Sequence, residues 1–360
     1  MTYRSCCWMR PARSEADSRT RPCGRWRGWS RRILAGIALG LSVPEGAAAQ
    51  GSDAADGPRL EREPAAECCL VLLLPVGARA VALGRALTAF GTPDAAFANP
   101  AGLAAVEADQ FLVHHTTIAG QATALSLILT PADAGTIGFS YQLLDFGEIE
   151  NTDEFGRTVG TLAIRHHLFV ASFATRIVGG LAGGVNYKLY QFKIGCSGLC
   201  SGEEVSATTH AIDGGIRYHA ARFPYLQFGA SVSNVGFALQ VVNVQQADPL
   251  PVRLRLGAAY EALHHLLPNR DIELWIALDV EDRWRALGDP VASVGVELVA
   301  NNAAFLRVGY VPGEGVGTGA SVGIGIDYSR FTVGVAKSFA GATLEANGDP
   351  VQVSFGLRLE

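Results

Sequence analysis

The chain has 360 residues, 49% apolar and 18% charged, with 29 basic against 34 acidic side chains and a formal charge of −5. That length permits one large domain or two or three ordinary ones, and the mild negative charge excludes nucleic-acid binding, which calls for a basic stripe. Glycine is abundant, whereas lysine occurs only at Lys188, Lys193 and Lys337; soluble β-proteins commonly blunt exposed sheet edges with lysine, so a closed barrel or a membrane setting is favoured.

The chain opens on an export signal. Residues 1–32 carry many arginines and end in Arg31-Arg32, Ile33–Val43 is an apolar core, and Ala47-Ala48-Ala49 precedes Gln50 as a cleavage-like site. These are the parts of a signal peptide over residues 1–49. Its basic region is overlong, and Met9 is a second candidate start. The arginine pair resembles a twin-arginine signal, but ordinary positive charge is the favoured reading, because that route carries folded cargo and a barrel has to cross unfolded. Residues 50–76 continue as a polar linker and an apolar lead-in. The lead-in, Cys68–Val76, is too short to span a bilayer as a helix and is expected to pack beneath or inside the barrel.

Residues 77–106 read neither as strand nor as linker. Ala78–Ala89, a run of Ala, Leu and Arg, predicts a helix. Thr92-Pro93-Asp94 predicts a turn. Asn99-Pro100-Ala101-Gly102-Leu103 predicts a second helix start: asparagine can cap free N–H groups, and proline suits the first helical position.

From 107 to 360 a period of two takes over. In Asp271–Glu281, Ile272, Leu274, Ile276, Leu278 and Val280 face one way, and Asp271, Glu273, Trp275, Ala277, Asp279 and Glu281 the other. Ser321–Tyr328, Val252–Tyr260 and 351–359 alternate in the same manner. Further strands read near 107–118, 121–130, 134–144, 160–176, 179–193, 204–219, 224–235, 290–300, 302–311 and 329–339. The total is about fourteen, at about eighteen residues for each strand and its turn, against the roughly 9–11 that a tilted membrane strand needs. Short antiparallel turns with no helical crossovers exclude a parallel α/β sheet.

Alternation does not assign the two faces, since a soluble sandwich has the same period. Export, aromatics near strand ends (Tyr218, Tyr260, Tyr310, Tyr328, Phe339), and polar faces with charges of both signs favour a transmembrane barrel. Its lumen-facing charges are expected to be Asp213, Arg217, Arg253, Arg255, Glu273, Asp279, Glu297, Asp327 and Arg358. A barrel of this strand number is too wide for wall side chains alone to fill, filling stopping at about eight strands. Segment 77–106 is the candidate filler, a hatch anchored to wall charges through Arg79, Arg85 and Asp94; the alternative is a cap that never enters the barrel.

No chemical motif survives its context. Gly319-Ala320-Ser321-Val322-Gly323 matches a nucleophile elbow, which needs strand, turn and helix, but it lies inside a strand pattern. Gly315–Ala320 fits a loose dinucleotide pattern without the helix that would receive phosphate. The pairs His114-His115, His166-His167 and His264-His265 cannot each grip one metal from a strand, because adjacent residues point to opposite faces. The acidic stretch Glu148–Glu154 lacks the ligand spacing of a calcium loop. Cys196 and Cys200, in the loop GCSGLCSG, are candidates for a disulfide in an oxidising compartment, with free thiols the alternative; a metal needs more ligands than two. No catalytic, cofactor or metal site is expected.

The patterns GARAVALGRA (77–86) and TPDAAFANPAGL (92–103), with SVSNVG (231–236), PLPVRLRLGAAY (249–260) and LRVGYVPGEGVGTGASVGIGI (306–326), resemble the PorV/PorQ family of outer-membrane barrels, related in fold to FadL-type long-chain fatty acid transporters. The resemblance runs from about residue 70 to the end, and Asn99, Pro100 and Gly102 match the family motif residue by residue. Leu83-Gly84-Arg85-Ala86 stands where the family usually has a Gly-Met-Gly-Gly-like run, and Glu360 where many such barrels end on an aromatic. The resemblance implies a barrel in the lipid of the cell outer membrane that binds or passes a small hydrophobic ligand past the hatch and sideways into lipid. The alternatives are a PorV-like component handling cargo proteins in type IX secretion, or a structural outer-membrane protein; a hydrolase is remote. The organisation expected is signal peptide 1–49, linker and lead-in 50–76, hatch 77–106 and transmembrane barrel 107–360.

Overall fold

The computed structural model describes residues 67–117, 120–131, 134–198, 204–219, 222–241, 246–264, 271–313, 318–339 and 350–359. The expected signal peptide, Cys200, His265 and Gly315–Gly317 lie outside them.

The period-2 segments form fourteen antiparallel strands: β1 (Gln110–Thr116), β2 (Gln121–Leu129), β3 (Thr136–Thr152), β4 (Thr158–Val178), β5 (Leu181–Gly198), β6 (Val205–His219), β7 (Leu226–Gly236), β8 (Arg253–Glu261), β9 (Ile272–Arg283), β10 (Val291–Ala300), β11 (Ala304–Val311), β12 (Gly319–Tyr328), β13 (Phe331–Phe339) and β14 (Val351–Arg358). Each pairs with its neighbours in the chain, and β1 pairs with β14 from Gln110↔Arg358 to Thr116↔Gln352. Around the wall no edge is left. In lipid that closure pairs the N–H and C=O groups of neighbouring strands with one another, which is the condition for a sheet to span a membrane.

The faces divide as the alternation dictates. Along β12, Val322, Ile324 and Ile326 are exposed on the outside while Ser321, Gly323 and Gly325 are buried within. Ile276 and Leu278 of β9 point outward, and Ala277 and Asp279 inward. The exterior is thus a band of large apolar side chains, with Tyr218, Tyr260 and Tyr328 exposed near one end and Tyr310 and Phe339 near the other. A bare apolar belt flanked by aromatics fits hydrocarbon and not water; the chain is a transmembrane barrel.

The two ends differ. Gly179 and Gly180 join β4 to β5, both at positive φ, as the tight hairpin turn matching strand twist requires. At the opposite end sixteen residues separate Gly236 from Arg253. There β3, β4 and β5 also run past their neighbours: β2 stops against Asp145, whereas β3 continues to Thr152 opposite Thr158. The expected end of β3 at 144 falls short because its continuation is polar on both faces and resembles a loop. A register shift between Asp145 and Glu148 marks where the sheet leaves the wall and projects.

Segment 77–106 lies inside the barrel. Only Ala78–Ala82 is α-helix (α1); the helix expected to reach Ala89 stops early because Gly84 and Arg85 both take positive φ, a turn that no helix continues through. Two 3-10 turns come next, Pro93–Phe97 and Pro100–Ala105. The second begins as Asn-Pro leads one to expect, with the Asn99 side chain accepting from Ala101 N–H.

Candidate functional site

The hatch crosses the bore from wall to wall. Helix α1 packs on β11–β14, and Pro100–Ala105 packs on β4–β6. Many of its apolar residues are alanine: Ala95, Ala96 and Ala104, with Leu103, meet Leu112, Ile128, Ala174 and Ala182, while Leu83, Leu87 and Phe90 meet Ala259 and Ala277. Alanine lets backbone approach backbone, and the wall answers with glycine. A Cβ at Gly184 would lie 2.4 Å from Pro100 and Ala101 backbone, at Gly229 2.0 Å from the Thr88 carbonyl, and at Gly309 2.1 Å from Gly84 N. These inward glycines form the seat of the hatch.

Polar links fix its position. Arg79 Nε and Nη2 donate to Glu297 Oε2 and Oε1 at 3.0 and 2.7 Å, and Arg307 Nε donates to the same carboxylate at 2.5 Å. Asp279 Oδ2 accepts from Leu87 and Thr88 N–H at 3.1 and 3.0 Å. Asn99 Nδ2 donates to the hatch carbonyl of Thr88 and to Ile216 of the wall. Arg217 Nε donates to Ala89 O, and Asn186 Nδ2 to Ala96 O and to Asp213, which also pairs with Lys188 at 2.8 Å. Asp94 Oδ1 stands 3.4 Å from His114 Nε2; His114 Nδ1 bonds Ser354 Oγ, which accepts from Ala78 N–H at the start of α1. Arg85 reaches Leu73 O at 3.2 Å and Glu281 at 3.8 Å.

The nine wall charges all lie on the inner face. Arg217, Asp279 and Glu297 touch the hatch directly, and Asp213 touches it through Asn186. Glu281 holds Arg253, Arg255 and Arg85, with Arg253 also paired to Glu67 at 2.6 Å. Arg358 pairs with Asp327 at 2.9 Å, and Glu273 accepts from the Trp275 indole. Gly102 serves the hatch itself: a Cβ there would lie 2.6 Å from the Phe90 carbonyl. The sequence did not single out Asn186, Arg307, Ser354 or the glycine seat, and it brought His114 forward only as half of the pair His114-His115. Arg307 and the glycines sit on the polar face of their alternation, but only the register tells which of them meets the hatch.

An Asp279→Ala variant leaves the buried Leu87 and Thr88 N–H groups without an acceptor, at about 1–3 kcal/mol each. Amide exchange in 83–92 is expected to quicken while β1–β14 stay protected; unchanged exchange in the hatch removes Asp279 from its anchorage.

The bore has two characters. Toward the long-loop end, Leu144, Leu168, Val170, Tyr190, Leu239 and Leu250 form a packed apolar cluster, with Phe146 and Phe192 beside it, and the lead-in joins it through Cys69 and Val71. Toward the short-turn end a cavity of about 210 Å³ is lined by Arg79, Asp94, His114, Arg307, Asp327 and Arg358. The cysteines add a feature that spacing did not signal: Cys68 and Cys69 are bonded to each other. Cys196 is also disulfide-bonded. Ser321, the apparent elbow serine, is buried in β12 and donates to Ala82 O.

The chain matches the uncharacterised protein family UPF0164 over residues 45–359. It belongs to that family. No curated protein matches it. Among solved structures, the toluene transporter TodX of Pseudomonas putida is 13% identical, with 78% of this chain and 96% of that one covered at a TM-score of 0.50. The CymD monoaromatic hydrocarbon channel is 13% identical, with 80% and 98% covered at 0.54. A FadL homologue of Pseudomonas aeruginosa is 11% identical, with 80% and 99% covered at 0.49. At such identities the likeness to TodX and CymD is one of fold: this UPF0164 member is a fourteen-strand barrel that shares their fold.

Proposed function

We propose that this UPF0164 member binds or passes small hydrophobic molecules across an outer membrane, with residues 77–106 as the hatch that closes its bore. The observation that carries the reading is the apolar cluster at the long-loop end, in which Leu144, Leu168, Tyr190 and Leu250 pack around the chain's own lead-in. Short turns face the periplasm and long loops the exterior in barrels of this class, so the cluster lies on the outer side. An apolar solute that takes the place of the lead-in gains from burial there, at about 25 cal/mol per Å². Beyond the hatch lies the cavity at the short-turn end, where Arg79, Asp94, Arg307 and Arg358 share the lining with Leu112, Phe305, Val333 and Phe355. The seated hatch stands in the way of axial passage, and lateral exit into lipid is the alternative route. The fold shared with hydrocarbon channels supports this reading. The motif resemblance to PorV/PorQ supports a second, cargo handling in secretion.

Organic extraction and mass spectrometry of the purified protein separates the two. Fatty acids or hydrocarbons bound in about equimolar amount are expected. A protein partner co-purifying in that ratio, with no organic ligand, replaces the first reading with the second.

A further inference from the structure

The outer wall of β1–β5 carries a second feature, independent of what the bore passes. The register sets its lipid-facing side chains in levels. One level reads Phe111, Leu127, Phe139, Ala171, Tyr187; the next reads Val113, Leu125, Tyr141, Phe169, Leu189. Between them lies an open recess of about 510 Å³, almost wholly apolar, lined by Phe139, Tyr141, Phe169 and Leu189 among others. One level further toward the long loops stands His167, and beyond it Asp145, Arg165 and Lys193.

That last level is unusual. Arg165 and Lys193 are direct cross-strand partners, and like charges placed opposite one another destabilise a sheet. Asp145 offsets Arg165, at 2.9 Å. Lys193 has no hydrogen bond or ion pair with any described residue, so the level holds two cations and one anion. Below it, Tyr141 Oη bonds His167 Nδ1 at 2.9 Å with the rings stacked, which leaves Nε2 for another partner. Arg165 stands four positions before Phe169, about 14 Å along the strand.

We propose that this face binds one phosphate-bearing membrane lipid, an acyl chain in the aromatic recess and the phosphate on Lys193 and Arg165, with His167 beneath. An anion on the outside of the wall relieves the like-charge opposition that the protein leaves in place. Apolar recess and excess cation are stacked in the order that chain and headgroup take in a leaflet.

Native mass spectrometry tests it with phosphatidic acid and diacylglycerol of identical chains, which differ only in the phosphate. One phosphatidic acid is expected to stay bound on the order of tenfold or more tightly than diacylglycerol. Arg165→Gln/Lys193→Gln abolishes that preference, and Phe139→Ala/Phe169→Ala weakens both lipids, each variant still shifting in gel mobility on boiling as a folded barrel does. Equal retention of the two lipids, or retention untouched by the cation substitutions, overturns the proposal. Displacement of the lipid by inorganic phosphate at equal concentration also overturns it, by making the site one for free anion.

Discussion

A Glu297→Ala variant is expected to fold its barrel and lose its closed bore. Glu297 is almost fully buried between Arg79 of the hatch and Arg307 of the wall, bonded to both. Removing the carboxylate leaves two guanidinium groups facing one another without the anion that held both. Breaking a buried ion pair from one side costs about 3–5 kcal/mol, chiefly because the remaining charge is uncompensated. The strand ladders do not depend on that carboxylate, so the cost falls on the seated state of the hatch. At 1.4 kcal/mol for each factor of ten, the seated population shifts by on the order of a hundred- to several-thousand-fold. Liposome swelling with a small sugar is the measurement: slow for the parent protein, clearly faster for the variant, at equal heat-shifted mobility of both on gels. A variant as tight as the parent would mean that the hatch does not depend on this link. Replacing Arg79, Glu297 and Arg307 together by methionine should restore closure, since a well-packed apolar substitute for a buried ion triad is often neutral or stabilising.

Much of this arrangement could be read in the chain. Alternation such as that of Ser321–Tyr328 locates a strand and says which residues share a face, and a closed wall then leaves two choices of orientation. Mixed charges on the face opposite Ile272, Ile276 and Leu278 decide between them, because unpaired charge in lipid is costly. The Asn99 cap was legible since its whole signal lies within three residues. What stayed hidden depends on register or on distant partners. Gly229 and Gly309 look like any glycine in a strand until the wall is closed and Thr88 and Gly84 are found against them. Helix α1 stops at Ala82 although the run of Ala and Leu continues, because Gly84 has to lie flat on the Tyr310 backbone. The link from Asp94 through His114 to Ser354 joins three elements far apart in the chain, and local sequence holds no trace of it.

Gly309→Leu carries the other large expected effect, and it tests the seat where Glu297 tests the anchor. A side chain at 309 starts 2.1 Å from Gly84 N and 2.3 Å from the Leu83 carbonyl carbon. Both are backbone atoms, so no rotamer change makes room. Gly295, the register partner of Gly309, closes the other side of the slot, since a Cβ there would lie 2.6 Å from Leu83 O. Overpacking usually costs about 1–3 kcal/mol where side chains can shift; here the turn at Leu83-Gly84 has to lift off the wall, taking the start of Leu87–Phe90 with it. Alanine at 309 is expected to loosen the hatch and leucine to displace it. Gly195→Ala is the internal control, because an added Cβ there meets nothing within 4 Å. Limited proteolysis reads the outcome: new cleavage within 77–106 for Gly309→Leu, less for Gly309→Ala, none for Gly195→Ala, with the strands intact throughout. A hatch that resists the protease equally in all three means that the inward glycines are not its seat, and that polar links alone hold the bore shut.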